Sequence, residues 1–218
     1  MIATIITIIA LIIYWGIYFL ITHGTKHTSL KFHVGMRLIG VLLFGTAPFL
    51  VTIIMKSDIS YTYISNDQWM KVALCLILGI PVIIFINGQI SKRASHQEMY
   101  PPIRINEWHS YEFLLNIFSW GIYLLSYEFM FRGFLLMECI SSLGVFYAIT
   151  INTVIYAIAH LPKGKFETIG AIPLGVVFCL ITIYTGTFWT VFVLHATIAV
   201  STDVFCIWRN PEMSVIKK

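Results

Sequence analysis

Long apolar runs separated by short polar turns make up most of the sequence. About seven of these runs are long enough to cross a bilayer, since an α-helical span takes about 20 residues. Hydrophobic residues form 58% of the chain and charged residues only 11%, whereas soluble proteins carry roughly 25% charged residues. The sequence therefore predicts an all-α, polytopic membrane helix bundle with about seven transmembrane helices.

The apolar runs also predict where each span begins and ends. The predicted spans are 2–21, 34–55, 69–90, 113–137, 146–160, 168–184 and 188–208. Pro81 and Pro173 predict kinks in the third and sixth spans, because a proline removes one helical hydrogen bond. The fourth span, at about 25 residues, is long enough to tilt or to break near Gly133. The hydrophilic segment 91–112 is expected to lie along the membrane surface, and 209–218 to form a polar tail.

Basic residues sort onto one side of the predicted bundle. Most of the 14 lysines and arginines fall on the turns after the first, third and fifth spans and on the tail, whereas Lys56 and Lys71 fall on the other side. By the positive-inside rule, this distribution predicts an N-terminus outside and a C-terminus in the cytoplasm, in a multi-pass protein of the cell membrane. Arg37, near the start of the second span, is expected to snorkel to the interface. The lipid bilayer is the partner that these charges predict, and nucleic acid is not.

The sequence predicts a single transmembrane domain, 1–218. Neither an internal repeat nor a low-complexity segment is evident, which disfavours a transporter built from inverted repeats. The last four spans hold the unusual polar residues. We therefore expect residues 1–110 to be supporting helices and residues 111–208 to be the core bundle, catalytic if the chain is an enzyme.

Glu128 and Arg132 lie within the predicted fourth span. On a helix, side chains four residues apart stack on one face, one turn apart, so these two can form an ion pair. An unpaired charge at the bilayer centre costs at least about 2.5–3.5 kcal/mol. An ionisable residue inside a membrane indicates a functional site by default, although a buried ion pair can also be a structural clamp between helices.

A polar stripe on the fifth span offers a partner for this pair. Asn152, Tyr156 and His160 recur every four residues and share one helix face. A neutral His160 beside Glu128 could hold and deprotonate a water molecule. The alternative is a helix-terminal histidine that only forms a hydrogen bond to a carbonyl.

A second histidine, His195, lies deep in the seventh span, and Asp203 follows two turns later. His195 could donate a hydrogen bond to a developing oxyanion, or it could form a structural bond between helices. The two membrane histidines and Glu128 could also ligate zinc, because three protein ligands plus water are the usual catalytic set. Their spacing differs from the H-E-x-x-H of helix-borne zinc proteases, so the preferred prediction is no metal and no cofactor, with zinc as a minority alternative.

Three short motifs occur in order within the last four spans. They are Glu128-x-x-x-Arg132-Gly133, Tyr156-x-x-x-His160-Leu-Pro and Thr185-Gly-Thr-x(7)-His195. Together they resemble the motifs of the CPBP family, the CAAX prenyl endopeptidase type of intramembrane protease, which is typified by E-E-x-x-x-R, F-x-x-x-H and H-x-x-x-N. The resemblance covers roughly residues 111–208.

The resemblance implies a helical intramembrane endopeptidase that hydrolyses a peptide bond of a membrane-associated protein or peptide substrate. In that family picture, Glu128 and His160 would activate the attacking water. His195 would stabilise the oxyanion, and Arg132 would hold Glu128 ionised.

The sequence departs from the family pattern at two positions. Tyr127 stands at the first glutamate of the first motif, and Ala199 stands at the asparagine of the third. Glu128, one residue along, is expected to take over as the base, and Asp203 to compensate for the missing asparagine. The alternative is a catalytically silent relative that kept the fold and acts as a membrane binding, immunity or regulatory protein.

Overall fold

The computed structural model describes residues 2–23, 28–58 and 60–216. Within these residues, seven helical stretches are long and apolar enough to cross a membrane. They are Ile2–Thr22, Leu30–Ile54, Trp69–Ile90, Ser110–Leu143, Val145–Lys163, Lys165–Thr185 and Trp189–Arg209. The predicted all-α, multi-pass membrane fold is thereby confirmed, whereas the outside N-terminus and the cytoplasmic C-terminus stay predictions.

The spans are built from helices that we number in chain order. The helices are α1 (Ile2–Thr22), α2 (Leu30–Val41), α3 (Ala47–Ile54), α4 (Trp69–Ile90), α5 (Ala94–Met99), α6 (Ser110–Glu128), α7 (Leu136–Leu143), α8 (Val145–His160), α9 (Lys165–Thr185) and α10 (Trp189–Arg209). Two π-helical segments, Leu42–Thr46 and Phe129–Leu135, join α2 to α3 and α6 to α7, so each of these pairs is one span. Short 3₁₀ turns occur at Ser60–Thr62 and Leu161–Lys163.

The fourth span is longer than the predicted 113–137 and does not break at Gly133. It runs over 34 residues from Ser110 to Leu143 and passes through the π-helical segment Phe129–Leu135. Its polar first turn is helical because Glu112 folds back and accepts a hydrogen bond from the backbone N–H of His109, 3.0 Å away. A π-helical turn inside an α-helix is often found at a functional site, and this one begins directly after Glu128.

The segment 91–112 and the tail are more structured than the sequence predicts. Strand β1 (Glu107–His109) pairs in parallel with strand β2 (Ser214–Ile216), so the polar tail returns to the start of α6. Trp108 is fully buried there, in a cluster with Ile103 and Ile207. Strands of three residues carry too little periodic pattern for the sequence to reveal them.

Close contact between the second and fourth spans fixes the position of α6. A Cβ atom on Gly45 would lie 2.7 Å from Oγ of Ser126, and one on Gly40 would collide with the ring of Tyr123. Small residues let membrane helices approach this closely. The face of α6 that carries Tyr123 and Ser126 is therefore held against α2, and the residues that follow Ser126 enter the middle of the bundle.

One buried amide connects the third span to the seventh. The Nδ2 atom of Asn87 lies within hydrogen-bond distance of the Ile198 carbonyl (2.9 Å), Ser201 Oγ (2.8 Å) and Thr202 Oγ1 (3.1 Å). Because lipid offers no alternative partner, such bonds stabilise helix pairs in membranes. They hold α10, and with it His195, in a fixed position relative to α4.

Candidate active site

Glu128, Arg132 and His195 meet in the interior of the bundle. His195 Nδ1 lies 2.5 Å from Oε1 of Glu128, and Nη1 of Arg132 lies 3.0 Å from Oε2 of the same carboxylate. Glu128 and Arg132 are completely buried. The predicted i, i+4 ion pair is therefore present, and the histidine that joins it comes from α10.

The partner of each imidazole determines which ring nitrogen carries a proton. An ionised carboxylate only accepts hydrogen bonds, so Nδ1 of His195 donates to Glu128. In the neutral ring, Nε2 is then an acceptor with a free lone pair. This carboxylate-to-Nδ1 arrangement orients an imidazole as a base in the serine hydrolases.

Aromatic rings surround the guanidinium of Arg132. Its Cζ atom lies 4.2 Å from the ring centre of Tyr156 and 5.2 Å from that of Phe178. Cation–π contacts of this kind gain strength where water is excluded. The ring of Phe131 lies 5.6 Å away. Arg132 thus has one carboxylate and three aromatic rings around it, which lets a cation persist inside the bundle.

His160 occupies the end of α8 and is bonded within its own helix. Its Nδ1 lies 2.8 Å from the carbonyl oxygen of Tyr156. A carbonyl only accepts, so Nδ1 carries the proton and a neutral His160 also presents Nε2 as an acceptor. No hydrogen bond joins His160 to Glu128 in the described residues, and the structure brings Glu128 to His195 instead.

Tyr156 and Tyr127 connect the two histidines through ring contacts. The ring centre of Tyr156 lies 4.5 Å from that of His160 and 6.4 Å from that of His195. Tyr127 lies 6.0 Å from both Tyr156 and His195. Tyr127 therefore faces the same region as the two imidazoles.

Asn152 supports the π-helical segment. Its Nδ2 donates to the carbonyl of Phe131 at 2.6 Å, and its Oδ1 accepts a hydrogen bond from the Cys179 thiol at 3.3 Å. A π-helical turn disturbs the regular helical ladder, and Asn152 binds one of its carbonyls. It holds the turn that carries Arg132.

Asp203 belongs to a second buried cluster and makes no contact with Glu128. Its Oδ2 accepts hydrogen bonds from Asn116 Nδ2 and Trp120 Nε1, each at 3.0 Å. Asn116 in turn accepts, through Oδ1, a 2.8 Å bond from Nη1 of Arg37.

The predicted snorkelling of Arg37 is wrong, because the side chain is only 4% exposed and makes its hydrogen bonds inside the bundle. An arginine in an apolar run was the signal that could have revealed this cluster, as Glu128 revealed the first.

A catalytic zinc site needs three protein ligands. Across the described parts of the chain (2–23, 28–58 and 60–216), no group of three His, Cys, Asp or Glu side chains is arranged to hold a metal ion. At Glu128, one oxygen is bonded to His195 and the other is paired with Arg132. Both carboxylate oxygens of Glu128 are therefore occupied by side chains of the protein.

The seven apolar helices and the buried glutamate, arginine and histidine define a multi-pass membrane protein with an ionisable site inside its bundle. Residues 108–201 match the family model described as type II CAAX prenyl endopeptidase Rce1-like. This match spans a little under half of the chain and supports a protein of the CPBP family, a protease family, as the three sequence motifs predict. No curated protein and no solved structure matches the chain significantly.

Proposed function

We propose that this protein is an intramembrane endopeptidase that hydrolyses a peptide bond in a membrane-associated protein or peptide. The family match supports a protease in general. The observation that carries the proposal is the 2.5 Å contact between His195 Nδ1 and Glu128 Oε1. It couples an imidazole to a buried carboxylate in the manner of hydrolases that activate a nucleophile with histidine.

Accessibility divides the roles within the site. Glu128 is 0% exposed, whereas His195 is 8% and His160 is 7% exposed. A general base must come within hydrogen-bond distance of the water that it deprotonates. Of these three groups only the imidazoles expose any surface, so we assign Glu128 as the orienting group and His195 as the base. This assignment replaces the sequence-based hypothesis in which Glu128 is the base and His195 the oxyanion donor.

The proposed reaction begins when Nε2 of His195 removes a proton from a water molecule. The oxygen of that water attacks the scissile carbonyl carbon, and the carbonyl π electrons move to its oxygen. The tetrahedral intermediate then collapses, the carbon–nitrogen bond breaks, and the imidazolium returns its proton to the leaving amine. Glu128 stabilises the imidazolium while it exists, and Arg132 keeps Glu128 ionised.

His160 and Tyr127 complete the proposal. Nε2 of His160 is a second acceptor that can hold the water, since its Nδ1 is bonded to the Tyr156 carbonyl. Tyr127 places a ring where the family has a glutamate, so a mechanism with an imidazole base accounts for the departure better than one with a carboxylate base. We place the protein in the cell membrane, with no cofactor.

The experiment is a comparison of membranes from cells that express the wild type or His195→Asn. Asparagine can still donate from Nδ2 to Glu128 but has no basic nitrogen, so the fold is kept and the base is removed. Proteomic comparison of peptide termini in the two membranes should reveal cleavage products that only the wild type forms. If both membranes contain the same cleavage products when the two proteins are equally abundant, hydrolysis by this site is contradicted.

A catalytically silent binding protein is the second candidate function. Complete burial of Glu128, with each oxygen next to a cationic or donor group, is also what a purely structural clamp requires. If the protein acts only by binding, the phenotype that it confers on cells persists in His195→Asn. If it is an endopeptidase, that phenotype is lost together with the cleavage products.

A further inference from the structure

A cavity of about 440 Å³ lies at one end of the bundle, apart from Glu128. It is lined by residues of α1, α2 and α6, by the connector between α4 and α6, and by the turn after α8. Its volume falls within the range of about 300–1,000 Å³ that is typical of small-molecule sites. The cavity is large enough for a lipid headgroup and the glycerol next to it.

Aromatic side chains form much of the cavity wall. Tyr14, Trp15 and Tyr18 line it from α1, and Trp120 and Tyr123 line it from α6. Tryptophan and tyrosine concentrate where membrane proteins meet the interface between headgroups and acyl chains. A wall of this composition suits a molecule that is polar at one end and apolar at the other.

Arg37 lines the same cavity and has an unused donor group. Its Nη1 donates to Asn116 Oδ1 at 2.8 Å and to Ser119 Oγ at 2.7 Å, and its guanidinium stacks on Trp120 at 4.0 Å. Nη2 is buried and has no hydrogen-bond partner. In the described residues, the only two ion pairs within 4 Å are those at Glu128, so no carboxylate directly neutralises Arg37. A fixed, buried guanidinium with a free donor is suited to bind an anionic oxygen.

Two further basic residues, Arg104 and Lys163, line the cavity, and they differ in their hydrogen-bond partners. Arg104 is already bonded to the carbonyls of Gln97 and Glu98. Lys163 is an exposed residue of the same lining, and no hydrogen bond is found for its ammonium group in the described residues. Glu98 is the one acidic residue of the lining, against the three basic residues Arg37, Arg104 and Lys163. Asp203 and Glu167 lie behind the wall, where they accept hydrogen bonds from Trp120 and Tyr100, so the lining itself carries a net positive charge.

We propose that this cavity binds the phosphate headgroup of an anionic phospholipid. Arg37 Nη2 and Lys163 bind the phosphate oxygens, and the aromatic wall contacts the glycerol and the start of the acyl chains. Arg37 and Lys163 could also bind free inorganic phosphate, but the aromatic wall and the volume of the cavity favour a lipid. Basic pockets between transmembrane helices are known to hold anionic headgroups. The proposal does not depend on peptide hydrolysis.

The test uses the full chain in detergent and measures bound lipid by native mass spectrometry. Phosphatidylglycerol and phosphatidylcholine are titrated separately, with wild type, Arg37→Gln, Lys163→Gln and Lys165→Gln. We expect one phosphatidylglycerol to bind the wild type more tightly than phosphatidylcholine. Loss of one charge-assisted contact should weaken that binding about tenfold or more in Arg37→Gln and in Lys163→Gln. Lys165→Gln removes the same charge two residues away, outside the cavity, and should bind as the wild type does.

Several outcomes would overturn the proposal. Equal weakening in Lys163→Gln and Lys165→Gln would mean that lipid is attracted only to the general surface charge. Displacement of the lipid by inorganic phosphate at similar affinity would make this a free-phosphate site. Displacement by a peptide with a free carboxylate, but not by its amide, would assign the cavity to a peptide terminus. If Arg37→Gln does not fold, Lys163→Gln against Lys165→Gln decides the result alone.

Discussion

Nδ1 of His195 donates a 2.5 Å hydrogen bond to Oε1 of Glu128, across 67 positions of sequence. The other oxygen of Glu128 is paired with Arg132 on the next helical turn. One carboxylate thus joins a cation of its own span to an imidazole of the last span. The chemistry that we propose depends on this shared carboxylate, and so do three of the predictions below.

Glu128→Gln should abolish most of the proposed peptidase activity. Glutamine can still accept a hydrogen bond from His195, but it cannot stabilise an imidazolium by charge, so we expect a decrease in kcat of about 10³–10⁴-fold. The assay follows the cleavage product identified in wild-type membranes. Glu138→Gln is the matched control, because Glu138 is bonded to Ser57, outside the site, and it should retain activity.

His195→Asn and Glu128→Gln should not be additive. If Glu128 acts only by orienting and stabilising the His195 imidazole, it contributes nothing once that imidazole is gone. The double variant will then have the same kcat as His195→Asn alone. The measurement is kcat for the two single variants and the double variant. If instead the decrease in kcat of the double variant equals the product of the two single decreases, Glu128 acts on the substrate independently of His195.

Arg132→Met should destabilise the protein by about 3–5 kcal/mol, because it leaves Glu128 as an uncompensated buried charge. Addition of Glu128→Gln should restore much of that stability, since the charge that lacked a partner is then gone. Denaturant unfolding in detergent measures both effects. A double variant as unstable as the sum of the single variants would show that Arg132 stabilises the bundle through its aromatic contacts alone.

His96 should make stability depend on pH. Burial lowers the pKa of His96, which Glu167 opposes and Arg93 reinforces. The unfolded chain, with a histidine pKa of about 6.5, therefore binds this proton more tightly than the folded chain, and stability decreases as the pH falls through that value. Between about pH 7.5 and about pH 5.5, His96→Gln should lose less Tm than the wild type. The prediction fails if His96→Gln loses as much Tm as the wild type over this interval.

The spans were predictable because the bilayer imposes a simple rule on the sequence. A helix that satisfies its own backbone must be apolar over about 20 residues, so hydropathy alone located all seven stretches, and the third as 69–90 without error. The length of the fourth span was not predictable in this way. Its first turn is polar and is helical because of the bond between Glu112 and His109.

The candidate site was predictable only in part. The sequence identified four polar groups inside the membrane: Glu128, Arg132, His160 and His195. Burial of such groups in a bilayer costs free energy, so their presence indicates a functional site. It paired Glu128 with His160, whereas the structure pairs Glu128 with His195. Asp203 was expected to support this site and lies instead with Asn116 and Trp120.

By itself, the sequence determined the properties that repeat along one helix or accumulate along the chain. These are the number and position of the spans, the ion pair at i and i+4, and the order of the three motifs. Only the tertiary structure decided which distant side chains meet: His195 with Glu128, Arg37 with Asn116, and strand β1 with strand β2. The physical reason is that spacing fixes geometry within a helix, whereas contacts between helices depend on how closely small residues such as Gly45 let them approach.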